Sequence, residues 1–235
     1  MLICCDNEGC IVDAKGTQFD LPALAELRAA IIESGWRFSI CTGRSVPYVE
    51  AMIQVLGLVN STTPCVCEGG GVIYHPATDR YEVLVDGADA GLIRELLPVG
   101  SYREELGKLT AYSVYPEPGH TVAELYDLVA TGASAVASIT KSIAAVDVTP
   151  KGVDKAFGLG QVLTRMDLGT SQVLAIGDSW NDLEMLRESG IAACPANAVP
   201  EVKAIADYVS PFEATRGVTD ILEWAMRRHG PTAIH

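Results

Sequence analysis

Strand-like and helix-like segments alternate at the start of this chain, and this alternation constrains the fold more than any other feature of the sequence. Three short apolar runs have the composition of buried strands: residues 2–5 (LICC), 37–41 (RFSIC) and 65–67 (CVC). Two segments with apolar side chains at helical spacing lie between them: residues 21–34 and 46–56. A strand–helix–strand–helix–strand order predicts a parallel sheet with helices on its faces.

The middle of the chain follows a different order of elements. The predicted elements there are a strand at 81–85, a helix at 88–97, a strand at 109–115, a helix at 121–130, and strands at 135–139 and 143–148. Thr140-Lys141-Ser142 lies between the last two strands, which predicts a hairpin. Residues 81–150 are therefore predicted to form an inserted α+β unit.

After the insert the alternation returns. Helices are predicted at residues 153–166, 182–189, 199–206 and 218–228, and strands at 172–176, 191–194 and 208–210. The predicted fold class is α/β, with a Rossmann-like parallel-sheet core built from residues 1–80 and 151–235. Residues 81–150 are predicted to form a cap over the strand ends of this core.

Composition argues against several classes of function. The chain has 235 residues, 49% of them hydrophobic and 20% charged, as in an ordinary globular protein. A formal net charge of −13 argues against a nucleic-acid-binding surface, which needs clustered Lys and Arg. No apolar run reaches the roughly 18 residues of a membrane-spanning helix, and the first residues lack the pattern of a secretory signal.

The cysteines favour a structural role. Six of the seven lie in or beside apolar stretches, where a free thiol behaves as a small hydrophobic group. Cys65 and Cys67 are separated by one residue, not by the two usual in zinc sites, and no histidine is nearby in the sequence. A thiolate metal site is therefore not expected, and reduced cysteines predict a cytoplasmic protein.

Two carboxylates stand where the first predicted strand ends. Asp6 and Glu8 follow residues 2–5, and Gly9 allows the chain to turn directly after them. In an open α/β sheet, ligands bind outside the carboxyl ends of the strands. This placement indicates a metal site or a reaction centre, and the alternative is a polar loop without a function.

Three more segments are suited to chemistry. Thr42-Gly43-Arg44 is a small polar turn before a helix, which can hold an anion by backbone N–H groups and a hydroxyl. Lys155, with Lys151 as the alternative, lies near the start of the helix after the insert. The polar residues that follow the strand at 172–176 are Asp178, Asn181 and Asp182. Acids gathered at several strand ends would repel one another and a phosphate, and Mg²⁺ would relieve this repulsion.

Together these segments resemble the haloacid dehalogenase superfamily, in the Cof-like branch that carries a large α/β cap and includes sucrose phosphatase and archaeal phosphoglycolate phosphatase. Asp6-Asn7-Glu8-Gly9 is similar to the opening D-x-D-G motif of that family, and Thr42-Gly43-Arg44 to its second motif. Lys155 with its neighbours is similar to the lysine motif, and Gly177-Asp178-Ser179-Trp180-Asn181-Asp182 to the fourth motif. The resemblance covers the whole chain.

The resemblance implies a Mg²⁺-dependent phosphomonoester hydrolase that acts on a small phosphorylated metabolite through an aspartyl-phosphate intermediate. The substrate would be a sugar phosphate or a phosphoglycolate-like acid. Asp6 would be the nucleophile, Glu8 the general acid and base, and Lys155 a ligand of the phosphate oxygens. The residues that would bind the phosphate or the substrate are Thr42, Gly43, Arg44 and Asn181. The metal site would consist of Asp6, Asp178, Glu8 through its backbone carbonyl, and Asp182, the last more as a supporting group than as a direct ligand.

Several of these roles have alternatives in the sequence. Asp178 could instead cap the helix that follows it, and Lys155 could be a surface lysine. Asn197 could cap its own helix or orient Lys155. The sequence makes no prediction of the oligomeric state.

Glu8 departs from the family pattern, which has Asp at this position. The extra methylene changes the reach of the carboxylate by roughly 1.5 Å, and a displacement of about 1 Å can cost on the order of 10²-fold in rate. We predict an active phosphatase that is either slowed by Glu8 or has a pocket adjusted to it. The alternatives are a phosphomutase of the same branch and a binding or regulatory protein that has lost the chemistry.

Overall fold

The computed structural model of the protein describes residues 1–14, 17–98, 102–104 and 106–230. Its strands are β1 (Leu2–Cys5), β2 (Arg37–Ile40), β3 (Cys65–Cys67), β4 (Val72–His75), β5 (Arg80–Val83), β6 (Tyr102–Glu104), β7 (Tyr112–Pro116), β8 (Ala137–Lys141), β9 (Val146–Pro150), β10 (Val173–Ile176), β11 (Ile191–Cys194) and β12 (Tyr208–Val209). Its α-helices are α1 (Leu21–Ser34), α2 (Val46–Leu56), α3 (Gly87–Leu96), α4 (Val122–Ala133), α5 (Lys155–Met166), α6 (Leu183–Glu188), α7 (Pro200–Lys203) and α8 (Ala214–His229).

The central sheet is parallel and contains β12, β11, β10, β1 and β2 in this order. All residues of β1 and β10 are buried, as expected for strands that are covered on both faces. The register pairs Cys5 with both Ile176 and Ile40, so β1, β2 and β10 end at the same level. The α/β class with a parallel-sheet core is thereby confirmed. The polar residues that follow these three strands meet at one edge of the sheet.

Helices cover both faces of this sheet. On one face, α1, α2 and α8 bury apolar side chains that include Leu27, Ile53 and Leu222. On the other face, α5 and α6 bury Leu159 and Met185. Full burial of such a side chain is worth about 1.5–3 kcal/mol, so the helices fix the position of the strand ends that carry the polar residues.

Two antiparallel sheets accompany the central sheet, and the first of them is joined to the edge beside β2 by a parallel bridge between Cys41 and Val66. One contains β3, β4 and β5, and the other contains β6, β7, β9 and β8 in this order. The strand predicted at 81–85 pairs with β4 over residues 80–83, so it extends the sheet of β3 and β4. The sequence analysis does not predict β4, although Val72, Ile73 and Tyr74 have high β-propensity and follow three glycines directly. The division of the chain into a core and a cap at residues 81 and 150 stays a prediction.

The predicted hairpin joins β8 and β9, but its turn lies at residues 142–145 and not at 140–142. Lys141 pairs with Val146 across the hairpin. Ser142 closes the turn, because its N–H donates to Ala145 O at 2.9 Å and its Oγ accepts from Ala145 N at 3.2 Å. β8 therefore begins and ends two residues later than predicted.

The cysteines are all free and buried, in agreement with their predicted hydrophobic role. Burial raises the pKa of thiols such as that of Cys65, to about 12, so they stay protonated. Among the described residues, the helices are all too short or too polar to cross a membrane.

Candidate active site

Asp6 stands at the end of β1, where the edge of the central sheet opens into a cleft. It is 3% exposed, and Lys155 Nζ lies 2.6 Å from its Oδ1. Lys155 is the first residue of α5, which packs against the sheet, so the lysine is buried as well. Lys151 lies elsewhere, with its Nζ donating to Ser134 O and Ala137 O. Of the two candidate lysines, the structure brings Lys155 to Asp6.

Asp182 contacts the same lysine from a second side. Its Oδ1 accepts a hydrogen bond from Lys155 Nζ at 2.6 Å, and its Oδ2 accepts from the backbone N–H groups of Asp178 and Ser179, each at 3.0 Å. Asp182 is fully buried, and these donors engage both of its oxygens. The carboxylate therefore positions Lys155 and the turn that follows β10.

Asp178 is fixed by an asparagine from another loop. Asn197 Nδ2 donates to Asp178 Oδ2 at 3.1 Å and to Gly9 O at 2.9 Å, and its Oδ1 accepts from Ala214 N at 2.8 Å. The sequence suggests that Asn197 either caps its own helix or orients Lys155, and the structure shows a different role. The amide joins Asp178 to the turn after β1 and to the start of α8. Gly9 permits this approach, since its φ is +77° and a Cβ there would overlap the Asp178 carboxylate.

Glu8 is held at the cleft by three donors. Arg44 Nε donates to Oε1 at 2.5 Å, Asn7 Nδ2 donates to Oε1 at 3.0 Å, and Thr42 Oγ1 donates to Oε2 at 3.2 Å. The Arg44 guanidinium also lies over the ring of Tyr48, 4.9 Å from its centre. The Glu8 carboxylate thus bridges the turns that follow β1 and β2, a contact that the sequence analysis does not anticipate.

Burial and mutual repulsion shift the titration of the acids. Burial, and then the charge of Asp182, raise the pKa of Asp6 well above its ordinary value, and the same two causes raise the pKa of Asp178 to about 8. Burial by itself would lower the pKa of Lys155, but Asp182 and Asp6 raise it well above its ordinary value. In the absence of a bound cation, Asp6 and Asp178 therefore keep their protons at pH values at which an exposed carboxylate has already lost its proton.

These residues suit a hard divalent cation. Carboxylate oxygens of Asp6, Asp178 and Asp182 lie within 4.8 Å of one another, and all three residues are buried. Ser179 Oγ and Asn181 Oδ1 are buried near them with no hydrogen-bond partner in the described part of the chain. Leaving such a group unpaired costs about 1–3 kcal/mol, which indicates that a bound group completes the site. Clustered oxygen donors with excess negative charge are a ligand set that Mg²⁺ accepts.

A narrow cleft lies above these residues. The core residues that line it are Asp6, Glu8, Ala14, Gly43, Arg44, Asp178, Ser179 and Asn181. The opposite side, which we call the roof, consists of Ser113, Tyr115, Asp147 and the turn at residues 142–145. Asp147 lies close to Gly43 and accepts a hydrogen bond from Ser113. Of the predicted binding residues, Gly43, Arg44 and Asn181 therefore border the cleft, whereas Thr42 does not line it and contacts Glu8.

The roof is the part of the site that the sequence analysis misses. Ser113 and Asp147 lie opposite each other on β7 and β9, and this pairing depends on a register that the sequence does not reveal. One signal could have placed Asp147 on the open face of its strand. Its neighbours Val146 and Val148 are buried, and side chains alternate between the two faces of a strand.

Comparison with known proteins points to one family. A family model described as haloacid dehalogenase-like hydrolase matches residues 101–222. The phosphoglycolate phosphatase of Aeropyrum pernix is 29% identical, over 93% of this chain and 90% of its own. The phosphoglycolate phosphatase of Haloarcula marismortui is 30% identical, over 87% of this chain and 91% of its own. A solved structure of a Thermoplasma acidophilum protein is 25% identical and superimposes with a TM-score of 0.80, covering 95% of this chain and 96% of that one.

Proposed function

Because the chain belongs to the haloacid dehalogenase-like hydrolases, in their Cof-like branch, and is a phosphatase of that type, we propose that it hydrolyses small phosphate monoesters with Mg²⁺ and an aspartyl-phosphate on Asp6. One observation supports this most directly. The Asp6 carboxylate lies at the floor of the cleft, 2.6 Å from Lys155 and within 4.8 Å of carboxylate oxygens of Asp178 and Asp182. The carboxylate proposed as the nucleophile thus has an ammonium group and two further acids as its immediate neighbours.

In the proposed reaction, a carboxylate oxygen of Asp6 attacks the phosphorus atom, and the bond from phosphorus to the leaving-group oxygen breaks. Glu8 gives a proton to that oxygen and later takes one from the attacking water. The water attacks phosphorus, the bond to Asp6 breaks, and the free carboxylate and inorganic phosphate result. Lys155 balances the charge of the phosphate oxygens, and the turn of Thr42 and Gly43 offers a hydroxyl and a backbone N–H to them.

The cation would be held by the side chains of Asp6 and Asp178 and by the backbone carbonyl of Glu8, with Asp182 supporting Lys155 behind them. When bound, Mg²⁺ supplies positive charge that neutralises the phosphate and the acids around it. Asn197 keeps Asp178 in place for this role, because its amide ties the carboxylate to Gly9 O.

The substrate class is a small phosphorylated metabolite, a phosphoglycolate-like acid or a sugar phosphate. Two relatives that match over most of their length are named phosphoglycolate phosphatase, and polar side chains such as those of Arg44, Ser113 and Asn181 line the cleft. A panel of phosphate esters with Mg²⁺ tests the proposal, and we expect release of inorganic phosphate from at least one of them. A protein that hydrolyses none of them and does not bind BeF₃⁻ at Asp6 would be a binding protein that has lost the chemistry.

The stability of the metal-free protein should depend on pH. Asp178 has a pKa of about 8 in the folded protein and about 4 in an unfolded chain, so between these values the native state binds more protons. Stability then falls as pH rises through this window, and Asp6 acts in the same direction. In EDTA, we expect the melting temperature to fall between about pH 5 and about pH 8, and Mg²⁺ to raise it more at the higher pH. Asp178→Asn should weaken both effects, and a Mg²⁺ shift that is larger at low pH would contradict the assignment.

Two substitutions separate the acid–base role of Glu8 from the length of its side chain. Glu8→Gln keeps the length of the side chain but cannot transfer a proton, so we expect kcat to fall on the order of 10²-fold. Glu8→Asp keeps the acid but shortens its reach, so we expect a loss of kcat that is smaller than that of Glu8→Gln. Steady-state kinetics on the best ester of the panel measure both. Unchanged turnover in Glu8→Gln would remove Glu8 from the acid–base role.

A further inference from the structure

A fully buried carboxylate lies outside the proposed chemistry, in the turn that connects β3 to β4. We call residues 68–71 the Glu68 turn. Glu68 is its first residue and is 0% exposed. Its φ is +53°, which is uncommon for a residue with a side chain, and Gly69 and Gly70 also have positive φ. A buried acid on such a backbone persists only where the surrounding contacts hold it.

The side chain of Glu68 binds the loop that leads into the roof. Both of its oxygens accept from Leu109 N, at 3.0 and 2.9 Å. Oε2 also accepts from Thr110 N at 2.7 Å and from Thr110 Oγ1 at 2.8 Å. Ala111 alone separates residue 110 from β7, the strand that carries Ser113 and Tyr115 of the roof. Because donors of two adjacent residues bind one buried side chain, this contact is well suited to fix the roof.

The backbone of the same turn binds the other side of the cleft. Glu68 N donates to Arg44 O at 2.9 Å, and Gly69 N donates to Thr42 O at 3.0 Å. These two carbonyls belong to the turn proposed to bind phosphate. Glu68 therefore stands between this turn and the loop before β7, with hydrogen bonds to both.

The third neighbour of the Glu68 turn is the start of α5. Gly70 packs so closely on Asp154 that a Cβ would overlap the Asp154 carbonyl, and a Cβ at Gly158 would overlap Val66. Asp154 caps α5, with its side chain accepting from the N–H of residue 157, and Lys155 follows it in the chain. The turn thus touches the element that carries the lysine as well.

We propose that Glu68 is a positioning residue that sets the height of the roof over the phosphate turn and Lys155. It would act on the reaction by holding β7 where the roof meets the leaving group of the ester, because displacements of about 1 Å in a site can cost on the order of 10²-fold in rate. The catalytic part of this inference rests on the proposed phosphatase function, whereas the anchoring of residues 109 and 110 can be measured without any substrate.

The test uses Glu68→Gln in the full chain. Glutamine has the same shape, but its NH₂ group replaces one acceptor oxygen and faces backbone N–H donors. We expect faster hydrogen exchange of the Leu109 and Thr110 amides. We also expect kcat/KM for the best ester of the panel to fall about tenfold or more, while kcat/KM for acetyl phosphate, whose small leaving group needs little of the roof, stays within about threefold.

The matched control is Glu124→Gln. Glu124 accepts from Thr121 N at 2.8 Å and from Thr121 Oγ1 at 3.0 Å, the same pair of donor types that Thr110 offers to Glu68, but at the start of α4. This variant should leave the exchange of the Leu109 and Thr110 amides and the ratio of the two kcat/KM values unchanged. If Glu68→Gln does not fold, Thr110→Val, which removes only the hydroxyl donor, should give the same changes at smaller size.

Two results would overturn the inference. One is unchanged exchange with an unchanged ratio of kcat/KM values, and the other is an equal loss for the ester and for acetyl phosphate, which marks a role in stability alone. A wild-type protein that hydrolyses no ester overturns the proposed function instead. In that case, exchange of the Leu109 and Thr110 amides still decides whether Glu68 anchors the roof.

Discussion

Asp6→Asn is expected to lower kcat/KM for phosphate esters on the order of 10⁴-fold or more, the largest loss of activity that we predict for this chain. The amide keeps the size of the side chain but cannot attack phosphorus to form an acyl phosphate. Phosphate release from the best ester of the panel measures the effect. The matched control is Asp154→Asn, because asparagine also caps helices well and Asp154 has no place in the proposed reaction. Activity of Asp6→Asn within about tenfold of the wild type would rule out Asp6 as the nucleophile.

The same substitution should not weaken the fold. Burial raises the pKa of Asp6, so the ionised form of this side chain destabilises the folded protein near neutral pH. In EDTA, the melting temperature of Asp6→Asn is therefore expected to equal or exceed that of the wild type. This outcome would separate loss of the nucleophile from loss of structure, and it is the usual balance between stability and function at an active site.

Lys155→Met is expected to give the largest loss of stability, about 3–5 kcal/mol in the free energy of unfolding. Lys155 lies 2.6 Å from both Asp6 and Asp182, and its removal leaves two buried carboxylates without their cation. Denaturant unfolding measures the loss, and phosphatase activity should fall with it. Lys151→Met is the matched control, since its amino group binds two backbone carbonyls near the surface.

A second substitution sharpens this prediction. Asp182→Asn combined with Lys155→Met removes one of the two buried carboxylates that have lost their cation. The double variant should therefore be more stable than Lys155→Met alone. A larger loss for Lys151→Met than for Lys155→Met would contradict the assignment of the buried lysine.

Local signals explain why some elements could be predicted from sequence. α1 has the predicted bounds, because Asp20 accepts a hydrogen bond from Ala23 N at 3.1 Å and Gly35 ends the helix at a φ of +62°. α2 also has its predicted bounds and ends at Gly57, with a φ of +69°. Caps of this kind act within a few residues, so they are visible in the sequence.

Elements that depend on distant partners could not be predicted in the same way. β5 joins the sheet of β3 and β4 because of pairing that no local pattern shows. The turn between β8 and β9 lies at residues 142–145, and not at the predicted 140–142, because Ser142 closes it with its own hydroxyl. The physical cause is tertiary for β5, since pairing decides strand positions more than propensity does, and for the turn it is the register of β8 against β9 together with this local contact.

The candidate site follows the same distinction. Sequence reasoning brings Asp6, Lys155 and Asp178 toward one edge of the sheet, because parallel strands that end at one level present their next residues together. It does not find the roles of Asn197 or Asp147. Those depend on how loops from separate parts of the chain pack, and the amide of Asn197 reaches Asp178 only through the close approach that Gly9 allows.

The position of β1 in the middle of the sheet has a consequence for synthesis on the ribosome. β1 pairs with β2 on one side and with β10 on the other, and β10 is translated only after β3 to β9. Until then, an apolar strand keeps one open edge, which is a template for pairing with other chains. A chaperone that shields such edges would help this nascent chain most in the interval before its last third emerges.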